Sequence, residues 1–254
     1  MVLVIPYLMG GLGNWLFQVA AVTTWGKGHS VVLSHNHCER SPHSSTDYFT
    51  TILRNFTQGN VQIPLNRIEE GPKMFPMPDP IPPIRENTLF FGYFQRWKYV
   101  PSRFRDMLAF ENPAILEKYP NLPESCFLHI RGRDYVGHWL HDVGLAKQYY
   151  PAAIQFMKKD KGITRFSVFT NDREYYEKQE FLKDLNYEII DENELDTLYL
   201  MTQCKAGITA NSSFSWWGAY LNPDRPLCLP SKWFNDVEYM LDGYFFPGCY
   251  VYPV

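Results

Sequence analysis

Phe127-Leu128-His129-Ile130-Arg131-Gly132-Arg133-Asp134-Tyr135 runs an apolar stretch directly into a histidine, two arginines and an aspartate. Guanidinium forks at the end of such a run form an anion site. About eighty residues on, Ile208-Thr209-Ala210-Asn211-Ser212-Ser213-Phe214-Ser215-Trp216-Trp217-Gly218 repeats the arrangement with amide and hydroxyl groups, followed by a helical pattern. Main-chain N–H groups at a helix start favour phosphate oxygens. Arg131 facing a helix start at Ser212, Ser213 and Phe214 would hold the two phosphates of a nucleoside diphosphate from both sides. The same groups would stabilise charge on that diphosphate as a leaving group. A structural ion pair between Arg131 and Asp134 is the alternative use of the arginine. No Asp-x-Asp pair occurs in the chain, so acidic ligands for Mg2+ or Mn2+ are not clustered in the usual way, and no metal or other cofactor is expected.

These segments need a frame to hold them. From residue 124 onward, strand-like runs at 126–130, 165–169, 187–190, 206–209 and 226–229 alternate with helical patterns near 145–159, 173–184, 194–204 and 213–221. Strands alternating with single helices predict a parallel sheet covered on both faces, a Rossmann-like domain. Ligands of such sheets bind beyond the carboxyl ends of the strands. Those ends deliver His129, Arg131 and Asp134; Asn171 and Asp172; Asp191; and Asn211, Ser212 and Ser213. Helix capping explains Asp172 or Asp191 taken singly as well as ligand contact does.

The first half opens as a βαβ unit: an apolar strand over 2–9, a turn at Gly10-Gly11-Leu12-Gly13-Asn14, a helix over about 15–26 and a strand over 30–34. The glycine turn would let backbone N–H groups, Gly13 among them, approach a ligand at the helix start, and a purely structural turn would look the same. Residues 35–88 read as irregular, with a proline-dense surface connection over 71–83. A buried strand over 88–95 and a helical stretch over 101–118, packed back on this half, complete it. Two domains follow, residues 1–123 and 124–254.

Composition removes several classes. The chain has 254 residues, is 45% hydrophobic and carries a formal charge of −3, so no global positive field draws it to nucleic acid. Cys38, Cys126, Cys204, Cys228 and Cys249 contain no CxxC pair and are odd in number, which predicts reduced thiols. The N-terminal apolar stretch lacks a basic flank and is interrupted by Pro6, so it reads as a strand; no signal peptide or transmembrane segment is expected, and the expected location is cytoplasmic. Aromatic residues make up 17% of the chain, which suits sugar stacking and an ordinary core alike.

Four ordered segments carry a family resemblance. Gly11-Leu12-Gly13-Asn14, Gly92-Tyr93-Phe94-Gln95, His129 through Tyr135, and Asn211 to Gly218 with Ala219-Tyr220-Leu221-Asn222 resemble the motifs of family 11 glycosyltransferases, the α-1,2-fucosyltransferases, along the whole chain. The His-x-Arg-x-x-Asp core is shared with α-1,6- and protein O-fucosyltransferases, so it speaks for the donor more than the linkage.

The resemblance implies the GT-B architecture, two Rossmann-like domains facing across a cleft, with an acceptor-side N-terminal domain and a C-terminal domain holding GDP-β-L-fucose. It implies an inverting, metal-independent transfer of fucose to a hydroxyl of a galactose-like glycan or glycoside. His129 and Asp196 would contact guanine or its ribose, Arg131 the β-phosphate, and Ser212, Ser213 and Phe214 the phosphates. Asn14 would reach the diphosphate or the fucose, with Gly13, Asp172 and Asn211 completing the donor set. Asp134 is the first candidate for the base that takes the acceptor proton, or else the salt-bridge partner of Arg131; His138, His141 and Asp142 are alternatives. Two departures stand out. The family's Arg-Arg-Gly-Asp is here Arg131-Gly132-Arg133-Asp134, and Trp15 replaces the glutamine after Asn14, which would alter the acceptor pocket. A transferase with another linkage, acceptor or donor sugar is the alternative, and a carbohydrate-binding protein without turnover a weaker one. Oligomeric state is not legible.

Overall fold

The computed structural model describes residues 1–39 and 44–254. Among the described residues the strands are β1 Leu3–Pro6, β2 Ser30–Val31, β3 Leu33–Ser34, β4 Gln58–Gly59, β5 Asn66–Glu69, β6 Thr88–Phe91, β7 Cys126–Ile130, β8 Phe166–Thr170, β9 Tyr187–Ile190, β10 Ala206–Ile208, β11 Leu227–Pro230 and β12 Tyr250–Tyr252. The α-helices are α1 Leu12–Trp25, α2 Phe104–Met107, α3 Tyr149–Asp160, α4 Arg173–Glu177, α5 Glu194–Gln203 and α6 Ser213–Tyr220. Among the described residues no helix is long and apolar enough to cross a membrane.

The chain divides into two compact units, Met1–Ala109 with Glu238–Tyr244, and Phe110–Val237 with Phe245–Val254. Residues 110–123 therefore group with the second unit, and the expected division after residue 123 falls elsewhere. The expected helix over 101–118 breaks into the single turn of α2 and a 3-10 segment at Pro113–Lys118. Pro113 interrupts the stretch, and a proline withholds the N–H a continuous helix needs.

In the first unit β1, β2, β5 and β6 form a parallel sheet in the order β2-β1-β6-β5, and β3 pairs with β4 separately. Strand β1 and helix α1 pack through Val4, Ala21, Val22, Phe90 and Phe94. Trp25 adds its ring against Phe90, Phe94 and Tyr99. Strand β5 lies in the stretch expected to be irregular; three of its four residues are polar and exposed and only Ile68 turns to the core, so no apolar alternation marks it.

The second unit carries a six-stranded sheet, all parallel, in the order β12-β11-β10-β7-β8-β9. Every residue of β7 is buried, as a strand covered on both faces requires. Helix α3 lays Ala153, Ile154 and Met157 on the sheet, and Tyr149 and Tyr150 send their hydroxyls to the carbonyls of Cys228 and His129 at 2.8 and 2.9 Å. Arg225 donates to the carbonyls of Met201, Cys204, Gly218 and Asn222, tying off the ends of α5 and α6. Helix α4 ends at Glu177, with a short 3-10 turn at Glu180–Leu182, where one helix over 173–184 was expected. All five cysteines are free; Cys126, Cys204 and Cys228 are buried in this unit.

Candidate active site

The strand order places the two chemical motifs side by side. From β7 the chain adds β8 and β9 on one side, then returns through α5 to place β10 against the other edge of β7, with β11 and β12 beyond. The order therefore reverses between β7 and β10, and the crevice outside the carboxyl ends at such a reversal is where open α/β sheets bind ligands. Strand β7 ends at His129-Ile130 and leads into Arg131, and β10, with Ile208 paired to Leu128, leads into Asn211-Ser212-Ser213.

His129 is 4% exposed, and its ring lies 6.0 Å from that of Phe214 in the first turn of α6. Burial, aided by the Arg131 charge, lowers its pKa to about 3, so the imidazole is neutral at pH 7. Its Nδ1 is buried with no partner in the structure. Buried polar atoms are normally satisfied, so an orphan at a strand end points to a group supplied by a ligand.

Arg131 has a second such atom, its buried Nε. Its Nη2 donates to both oxygens of Asp134 at 2.8 and 2.9 Å, and the guanidinium lies over the Tyr135 ring, 4.9 Å from the centroid. Tyr135 in turn stacks on His141 at 4.7 Å and 14°. The arginine plane is thus set by a carboxylate and an aromatic face. Asp134, expected first as a base, is held to Arg131 through both oxygens.

The turn after Arg131 is built by the neighbouring strand end. Asn171 Oδ1 accepts from Gly132 N at 2.9 Å, and Asp172 Oδ2 from Arg133 N at 2.7 Å. Asp172 also caps α4, its Oδ1 accepting from Tyr175 N at 3.1 Å. The bond from Arg133 N, with that from Tyr175 N, lowers the Asp172 pKa. Both oxygens of Asp172 are thus committed to main-chain amides. Position 132 admits no side chain: a Cβ there would lie 2.4 Å from Cβ of Asp172. Arg133 adopts φ +47°, the left-handed region that favours glycine. The exchanged order of glycine and arginine therefore has a local cause, the close approach of Asp172.

On β10's side, Ser212 takes the N-cap position of α6, 4% exposed, without its side chain bonding to the first helical amides; Ser213 begins the helix. Asn211 is structural in its donors, giving its amide to the carbonyls of His141 and Trp233 at 3.0 and 2.9 Å. Arg131, Tyr135, His141, Asp142, Tyr175 and Asn211 line a shallow open recess. Asp196 stands apart from that lining. It lies in the first turn of α5, which follows β9, two strands from β7, and its oxygens accept from Asn112 at 2.8 Å and from Asn193.

In the first unit the glycine turn and the Gly92–Gln95 segment meet. Asn14 Oδ1 accepts from Gln95 Nε2 at 2.6 Å, and Gln95 Oε1 accepts from the Tyr244 hydroxyl. Gly10, at φ +78°, lets the Asn14 amide lie where a Cβ would be 2.3 Å from its Nδ2, and Gly13 falls inside α1. Trp15, expected to alter the acceptor pocket, is 4% exposed and packs edge-on to Tyr48 and Phe49 at 5.0 and 5.3 Å. The Asn14–Gln95–Tyr244 chain is invisible to spacing, because its members lie far apart in sequence. Among the described residues no group of three or more His, Cys, Asp or Glu is placed to hold a metal ion.

The parallel α/β sheets, with a strand-order reversal in the second, are the fold of GT-B glycosyltransferases. The crystal structure of the fucosyltransferase NodZ from Bradyrhizobium matches this fold with a TM-score of 0.54 at 14% identity, covering 88% of this chain and 94% of that one. The family model for glycosyl transferase family 11 matches residues 116–246. The chain belongs to glycosyl transferase family 11. The match takes in the segments at His129 and Asn211, while Gly11–Asn14 and Gly92–Gln95 lie outside it.

Among curated proteins, the O-antigen biosynthesis glycosyltransferase WbnK of Escherichia coli is 36% identical over 174 residues, 59% of this chain and 57% of the relative. An α-1,2-colitosyltransferase of Escherichia coli is 37% identical over 172 residues, 61% of this chain and 59% of that protein. The matched part is thus less than two thirds of either relative's length.

Proposed function

We propose that this chain is an inverting, metal-independent α-1,2-fucosyltransferase that moves L-fucose from GDP-β-L-fucose to a hydroxyl of a galactose-like glycan. The observation that carries the reading is Arg131: a guanidinium held by Asp134 and Tyr135, with a buried Nε awaiting an acceptor, just beyond the end of the strand adjacent to the one that leads into α6. A diphosphate there meets Arg131 on one side and the first amides of α6 on the other. As the acceptor oxygen bonds to the anomeric carbon, the bond from that carbon to the diphosphate breaks and its electron pair passes to the diphosphate oxygen. Arg131 and the helix start stabilise that charge, a service a bound cation would otherwise supply. The hydroxyl proton is lost to a base or to water as the bond forms.

Asp134 in this scheme positions Arg131, and Asp172 and Asn171 position the turn that carries it. Neutral His129 offers hydrogen bonds to the nucleotide, with Phe214 beside it; Ser212 and Ser213 supply the phosphate-facing helix start, and Asp196 the ribose contact. Asn14 and the neighbouring Gly13 are the donor contacts proposed for the first unit. A transferase using another donor sugar is the second reading, favoured by the 37% identity to a colitosyltransferase and by the glycine–arginine exchange beside Arg131.

GDP release from GDP-fucose in EDTA, across galactoside, xyloside and rhamnoside acceptors, decides between them. Acceptor-dependent release without metal supports the proposal. GDP binding with no release for any acceptor rejects GDP-fucose as donor.

A further inference from the structure

The surface next to the recess carries an unexplained feature, the indole of Trp139, 73% exposed. Its loop is not loose. Asn235 Nδ2 donates to the carbonyls of Trp139 and Asp142 at 3.0 and 2.9 Å, Asn235 N donates to Leu140 O at 2.8 Å, and Gly137 N donates to Asp142 Oδ2 at 2.7 Å. His138 Nδ1 accepts from the amides of Leu140 and His141 at 3.2 and 3.3 Å. A backbone held at so many points presents its side chain in a fixed place, the condition under which a contact loses little ordering entropy on binding.

Planar groups run without a break from the anion end of the recess to that indole. Arg131 lies over Tyr135; Tyr135 stacks on His141; His141 lies 4.7 Å from His138 at 37°; and His138 lies 6.1 Å from Trp139 at 22°. The stack is continuous with the recess, since Arg131, Tyr135 and His141 line it.

We propose that Trp139 is a stacking platform for a pyranose ring of the acceptor glycan. The inference rests on the transferase reading and adds a site to it. A pyranose has an apolar C–H face and a rim of hydroxyls. Laid on an uncharged indole, it buries the face and leaves the rim in water, which is the use to which amphipathic aromatic surfaces are put. The stack ties that platform to Arg131, where the donor diphosphate is assigned.

The test uses the full chain and two readouts. GDP release from GDP-fucose is followed against methyl glycosides of galactose, N-acetylgalactosamine, glucose and rhamnose for the unaltered protein, Trp139→Ala and Trp139→Phe. Indole N–H resonances of isotope-labelled protein are followed in titrations with the same glycosides, the Trp139 signal being the one lost in Trp139→Phe.

Trp139→Ala is expected to raise acceptor KM by about 5- to 10-fold, with GDP affinity and acceptor-independent hydrolysis unchanged. Trp139→Phe should recover most of the loss, and the Trp139 resonance should shift saturably. Turnover with acceptor KM unmoved in Trp139→Ala overturns the platform while the transferase reading stands. A saturable shift without turnover leaves the platform standing while the transferase reading fails. No shift with any of the glycosides overturns the platform, as does lost binding to phosphatidylethanolamine–phosphatidylglycerol vesicles in Trp139→Ala with both glycoside readouts unmoved, which would make the loop a membrane contact.

Discussion

Both carboxylate oxygens of Asp134 sit on a single nitrogen of Arg131, Nη2, at 2.8 and 2.9 Å. That arrangement leaves Nε to other use and makes the aspartate a clamp. Asp134→Asn should therefore weaken GDP binding and turnover together, because the amide removes the charge that orients the guanidinium. Isothermal titration with GDP checks this: turnover lost at full GDP affinity would instead make Asp134 the base. Arg131→Ala should weaken GDP binding by about 1.5–3 kcal/mol. Arg131→Lys should rescue little, since a point charge lacks the plane that lies over Tyr135.

The exchanged Gly132 and Arg133 make opposite predictions for neighbouring positions. Gly132→Ala drives a Cβ into Asp172 and should lower the melting temperature. Arg133→Gly relieves a left-handed residue at about 1–2 kcal/mol and adds chain entropy of about 0.5–1 kcal/mol, so it should be neutral to stabilising by up to about 1.5 kcal/mol. The double change Gly132→Arg/Arg133→Gly, which restores the order the family resemblance leads one to expect, should be the least stable of the three by thermal denaturation.

His129 ties stability to pH. Its folded pKa of about 3 lies below the unfolded value near 6.5, so below pH 6.5 the unfolded chain binds a proton that the folded one does not. Stability from this group is complete above about pH 6.5 and falls by about 1.4 kcal/mol per pH unit until roughly pH 3. Urea unfolding of the unaltered protein and His129→Gln at pH 7 and 5 checks it: the variant should lose less on acidification.

In the first unit, Tyr244→Phe takes away the hydroxyl that Gln95 Oε1 accepts from, within a buried pair. An unsatisfied buried acceptor costs about 1–3 kcal/mol. Should Gln95 orient Asn14 for catalysis, the Tyr244→Phe and Asn14→Ala effects on kcat/KM will be non-additive in a double-mutant cycle, and strict additivity would separate the two.

The second unit was legible because its chemistry is local. Strand, charge and helix start follow one another within ten residues at His129 and again at Asn211, and a parallel sheet brings such strand ends to one edge. What a linear reading lacks is contact between distant positions. Spacing cannot show Asp172 against Gly132, Gln95 against Asn14, or Trp15 sunk between Tyr48 and Phe49. Nor can it show that both oxygens of Asp134 meet Arg131 Nη2, the contact on which the clamp proposal rests. The failed helix over 101–118 has a different origin: Pro113 inside it removes an N–H from the apolar-spaced stretch, and a short 3-10 segment begins there. The stretch 35–88 hid β5 because a strand with a single half-buried apolar residue, Ile68, carries almost no burial signal.

Three thiols of the second unit, Cys126 on β7, Cys228 on β11 and Cys204 after α5, are sealed in its interior, and burial pushes Cys204 and Cys228 up to about 12. Alkylating reagents attack the thiolate and need access to it, so neither condition is met in the native state. Their rate of trapping thus becomes a clock for openings of the sheet itself, and its slowing by a bound nucleotide would report how far ligand binding tightens the strands that carry the site.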